Sequence, residues 1–94
     1  MKNLLSEVRG AIYEVFSEDS DALLQKSLEK HVMLPDEDPG EWAPNSCAVI
    51  HNESLMIGGP TEALDRWLEV SNLLIPHGYF VEHINESVSA VYKC

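Results

Sequence analysis

The chain has 94 residues, sixteen acidic and six basic, for a formal net charge of −10. That length makes one domain with a thin core, and a 45% hydrophobic share excludes wholesale disorder. So acidic a balance argues against direct nucleic-acid binding, which needs rows of Lys and Arg to displace counterions, and favours a basic protein partner instead.

No apolar run approaches the roughly 20 residues of a membrane span, so no membrane association is expected. The N-terminus has no apolar block ending in a small-residue cleavage site, which predicts a cytoplasmic protein. Two cysteines, Cys47 and Cys94, are too few for a disulfide framework and read as reduced thiols.

The first predicted element is a helix over residues 2–16. Leu4, Leu5, Val8, Ala11, Ile12, Val15 and Phe16 fall on one stripe of it. Gly10 sits inside that helix at a cost of about 1 kcal/mol against alanine, which suggests a close approach by another element. Asp19 or Ser20 then caps a second helix over 21–32, with Leu24 and Leu28 on its inner face. Residues 33–46 read as a loop with three prolines, crowded with Asp36, Glu37, Asp38 and Glu41 and interrupted by Trp42. A buried Trp42 pinning a solvated loop is one expectation; an exposed Trp42 anchoring a partner is the other.

Residues 47–57 read as strand, turn at Asn52-Glu53, and strand. The pairing puts Ala48, Ile50, Leu55 and Ile57 on one face and Cys47, Val49, His51 and Met56 on the other. The stretch 58–78 reads as the central amphipathic helix. Gly59 and Pro60 mark its start, Glu62 and Asp65 suit its positive end, and Pro76 and Gly78 stop it. Its predicted buried face is Leu64, Trp67, Leu68, Ser71, Leu74 and Ile75. Residues 79–92 form a second hairpin around Asn85-Glu86. The two hairpins share the triplet Asn-Glu-Ser at 52–54 and 85–87, but the match ends there and does not support an internal duplication.

Together these predict an α+β fold, a single domain over 1–94. Two N-terminal helices and the acidic loop precede a ββαββ unit with a small antiparallel sheet. Both faces of the second hairpin hold apolar residues, Phe80, Ile84 and Val91 against Tyr79, Val81 and Val88. A half-solvated sheet should alternate more cleanly, so one face is predicted to meet a second chain in a homodimer.

No constellation predicts an enzyme. Cys47 and His51 would share a strand face about 13 Å apart, too far for a nucleophile and its base. The histidines and cysteines lack the paired spacing of zinc sites. The segment 56–60 lacks the lysine and spaced glycines of a phosphate loop, and Pro39 breaks any calcium-loop pattern in 36–41. No metal or cofactor is expected.

The leading functional expectation is a non-enzymatic binding protein, an inhibitor whose carboxylates mimic phosphates on a basic, nucleic-acid-binding surface. Small acidic phage proteins that block host nucleases or polymerases offer an analogy of class, not of motif. The predicted partner-binding residues are Asp36, Glu37, Asp38, Glu41 and Trp42, with a second acidic patch close by at Glu14, Glu18, Asp19 and Asp21. The alternative is an acidic homodimeric adaptor or secretion-type chaperone.

Overall fold

A computed structural model describes residues 4–16, 22–55 and 64–94. Its elements run α1 (Leu4–Phe16), α2 (Ala22–His31), β1 (Val32–Met33), a 3-10 turn (Pro35–Glu37), β2 (Ala48–Ile50), α3 (Asn52–Leu55), α4 (Leu64–Leu74), a second 3-10 turn (Ile75–His77), β3 (Tyr79–His83) and β4 (Ser89–Lys93). The strands form one antiparallel sheet in the order β1-β2-β4-β3, so the fold is α+β as the patterning predicts.

The helices lie on one face of this sheet. Val8, Ala11, Ile12 and Phe16 of α1 meet Leu24 and Leu28 of α2, Trp67, Val70 and Leu74 of α4, and the inward side chains Ala48, Ile50 and Val91. Phe16 and Trp67 pack ring against ring at 5.1 Å. Trp67 Nε1 is buried without a hydrogen-bond partner among the described residues, and its ring meets His83 edge-on at 5.9 Å. The opposite face carries a smaller cluster of Val49, Val88 and Ala90, covered by Ala43 from the acidic loop and bordered by Met33, Ile84 and Tyr92. The two apolar faces of the strands are thus served by helices on one side and, in part, by a loop on the other.

Arg9 ties the first helices together. Its Nε donates to Leu28 O at 3.0 Å, and its Nη2 to Glu29 O at 3.1 Å and Val32 O at 2.7 Å. The last carbonyls of a helix have no partner within it, and one guanidinium here fills that need for α2 while reaching the edge strand β1. At the other edge of the sheet Ser71 Oγ accepts the Val81 amide at 3.1 Å. Each edge strand therefore has a backbone group bonded to a helix side chain, which blunts it as a template for another strand.

Several sequence expectations are overturned. Residues 47–57 are not a hairpin. β2 pairs with β1 and β4, and Asn52 opens the short helix α3, so Leu55 is helical; Met56 and Ile57 lie outside the described residues. The amide of Leu55 reaches back to His51 O, and Asn52 is held by groups 34 residues away, which a local turn reading cannot anticipate.

The central helix begins at Leu64 among the described residues; Gly59, Pro60 and Glu62 lie outside them. Of its predicted face, Trp67 and Leu74 are buried, but Leu64, Leu68 and Ile75 are half exposed, and Val70 is buried in their place. The 64/68/71/75 and 67/70/74 stripes both have helical period and differ by about one residue's rotation, roughly 100°. Periodicity alone does not choose between them; the bulk of Trp67 against Phe16 and the sheet does. Gly10 does not mark a close approach, since a Cβ there would meet nothing within 4 Å.

Candidate functional site: the acidic loop

The segment between β1 and β2 is organised by one buried carboxylate. Asp38 is almost fully buried, with no exposure of its side chain. Its Oδ1 accepts the Gly40 amide at 3.2 Å and His51 Nε2 at 3.0 Å, and its Oδ2 accepts the Trp42 amide at 3.1 Å. The sequence Asp38-Pro39-Gly40 is turn chemistry, in which an aspartate side chain binds amides two and four residues on. His51, just past the end of β2, fastens that turn to the sheet. Burial by itself raises the Asp38 pKa, but the Trp42 and Gly40 amides and His51 outweigh it and hold the carboxyl below its ordinary value.

The same turn sets Trp42. Glu41 adopts φ 49, in the left-handed region that costs a residue with a Cβ about 1 kcal/mol or more. The indole lies across Gly40 so closely that a Cβ at that position would stand 2.5 Å from Nε1. Ala43 and Ser46 close the loop, with Ser46 Oγ donating to Ala43 O at 2.7 Å and the Cys47 amide to Val91 O at 2.7 Å. At its start Glu37 Oε1 accepts the Leu34 amide at 3.1 Å and so caps the 3-10 turn.

Trp42 is 53% exposed, with Leu34 also exposed in the same loop. Asp36, Glu37 and Glu41 are exposed beside them. The expectation of a buried tryptophan pinning the loop is therefore reversed: Asp38 is the pin, and Trp42 is presented to solvent. By the same token Asp38 is withdrawn from the predicted partner-binding set, because its oxygens are spent inside the protein. Glu14 is exposed on α1 and borders a groove with Val15, Glu69 and Leu73, on the helical side of the sheet and not beside the loop. Glu18, Asp19 and Asp21 lie outside the described residues.

Two participants escape sequence reasoning. Leu34 falls inside the stretch read as a loop, and nothing local marks it as an exposed apolar neighbour of the acidic side chains. His51 is separated from Asp38 by thirteen residues, and only the path of β2 brings them together. The Asp-Pro-Gly signal was available, and it explains why Asp38 differs from its acidic neighbours.

The arrangement suits recognition of cations. Exposed carboxylates accept hydrogen bonds from Lys and Arg, and an exposed indole adds an apolar and cation-attracting face. Among the described residues no group of three His, Cys, Asp or Glu side chains is placed to hold a metal ion, and no helix is long and apolar enough to cross a membrane. No protein-family model matches the chain, and neither the curated proteins nor the solved structures compared with it give a match.

Proposed function

We propose that this is a non-enzymatic binding protein that docks through the acidic loop onto a basic, nucleic-acid-binding surface of a protein partner and inhibits it by occupying that surface. One observation carries the reading: a loop held by the buried Asp38 presents Asp36, Glu37 and Glu41 around an exposed Trp42 and Leu34. Carboxylates on a pre-shaped loop meet a partner without first ordering it, which reduces the entropy cost of binding. Trp42 supplies the apolar anchor that charge alone lacks. The chain's formal net charge of −10 speeds encounter with a basic surface at low salt.

The test is affinity capture of basic proteins, followed by competition with a double-stranded DNA oligonucleotide. The expected partner is released by DNA. It also binds at least tenfold more weakly to a variant carrying Asp36→Asn, Glu37→Gln and Glu41→Gln, with circular dichroism unchanged. A partner indifferent both to DNA and to this variant contradicts the proposal.

A further inference from the structure

All the large hydrophobic side chains exposed among the described residues fall into two groups. Leu34 and Trp42 belong to the acidic loop; Leu64, Leu68, Leu73 and Ile75 belong to α4 and the turn that extends it. The second group lies on the helical layer and owes nothing to the loop surface. Leu64, Leu68 and Ile75, with Ser71 between them, keep the spacing four, three and four, a continuous ridge along one side of a helix. Asp65 and Glu69, both exposed, flank the ridge on its outer side. Leu73 stands apart from the ridge, on the side of α4 that borders a groove with Glu14 and Val15 of α1.

We propose that this ridge is a second docking surface, for an amphipathic helix of a partner that carries apolar anchors flanked by Lys or Arg. A helix is favoured over a strand because the Val81 amide, on the neighbouring sheet edge, is already taken by Ser71, so strand addition there begins with a missing hydrogen bond. A basic helix is favoured over a second copy of this chain by charge. Two copies meeting through α4 bring Asp65 and Glu69 against their own kind. A Lys-flanked helix pairs with both while its leucines cover Leu64 and Leu68. The surface lies on the other side of the sheet from the loop, so both can be occupied at once.

A fluorescein-labelled synthetic amphipathic helix of leucine and lysine, titrated with the full chain and followed by anisotropy, tests the proposal. The Leu64→Ser, Leu68→Ser double variant is expected to bind it at least tenfold more weakly than the parent, with the melting temperature unchanged. The Asp65→Asn, Glu69→Gln variant is expected to weaken binding and flatten its salt dependence, whereas Glu29→Gln with Glu86→Gln, two exposed carboxylates that belong to neither surface, leaves it within twofold. A matched peptide with glutamate for lysine should not bind. Equal affinity of the serine variant, or a comparable loss of binding through the Glu29→Gln, Glu86→Gln variant, overturns the proposal. So does a marked fall in melting temperature of the serine variant, which shows that the chain itself covers the ridge. Light scattering that shows a dimer in the parent and a monomer in the serine variant assigns the ridge to a second copy and overturns it equally.

Discussion

Asn52-Glu53-Ser54 and Asn85-Glu86-Ser87 are the same triplet, and they fold differently. The first opens α3, where Asn52 is fully buried. Its Nδ2 donates to Glu86 O at 2.9 Å, and its Oδ1 accepts from Ser89 Oγ at 3.2 Å. The second stays a turn, in which Asn85 Oδ1 accepts the amides of Ser87 at 2.7 Å and Val88 at 2.9 Å. The copies also hold each other, through the Glu53 amide on Ser87 O and a side-chain bond from Ser87 Oγ to Glu53 Oε2. An asparagine amide can satisfy a distant backbone or its own turn, and the surroundings decide which. Asn85 has only its own chain reversal within reach. Asn52 follows a strand that ends against the other turn, and there it becomes a bridge.

The bridge also settles a tautomer. Because Asn52 Nδ2 is committed to Glu86 O, its Oδ1 faces Ser89, whose single hydroxyl proton is donated there. His83 Nδ1, 2.8 Å from Ser89 Oγ, must then be the donor, leaving neutral His83 protonated on Nδ1. Burial lowers the His83 pKa, in keeping with a neutral ring packed against Trp67.

The comparison can be broken first at Asn52. Asn52→Ala takes this partner from the buried Ser89 hydroxyl and the part-buried Glu86 carbonyl, and a loss of about 2–3 kcal/mol is expected in urea unfolding. Asn85→Ala removes a local turn bond whose amides can turn to water, for a loss of about 1 kcal/mol. Equal costs at the two positions would erase the distinction. Ser87→Ala takes away only an exposed bond to Glu53 and should stay within about 0.5 kcal/mol.

Acid sharpens the contrast further. His83 titrates lower in the folded chain than unfolded, so its contribution is complete above the unfolded value of about 6.5 and is lost as pH falls from there through the folded pKa. Asp38 behaves alike one step lower, its contribution being lost as pH falls below about 4. Melting temperatures should therefore begin to fall with His83 and fall again with Asp38, and His83→Gln should remove the first decline alone.

Much of the architecture was legible along the chain. The α1 stripe is the buried face observed, Leu24 and Leu28 point inward, and the second hairpin sits where the Asn85-Glu86 turn puts it. What was not legible depends on partners remote in sequence. Asn52 looks like a turn residue until Ser89 and Glu86 are beside it, and α4 carries two apolar stripes between which only Phe16 and the sheet decide. In the loop, Asp36, Glu37 and Glu41 are as exposed as their composition implies. Asp38 departs from them because Pro39-Gly40 bends the chain back over its carboxylate and His51 arrives from β2. The local half of that could be read; the distant half could not.

The most direct test of the proposed function places a photo-crosslinking phenylalanine analogue at position 42 and, separately, at exposed position 26 on α2. After irradiation with the captured partner, the position-42 protein should form a covalent adduct to a Lys- or Arg-rich segment of the partner's nucleic-acid-binding surface. That adduct should disappear when double-stranded DNA is added first, and position 26 should give none. Adducts of equal yield at both positions, or an adduct at position 42 unaffected by DNA, would contradict the assignment of the loop as the binding surface.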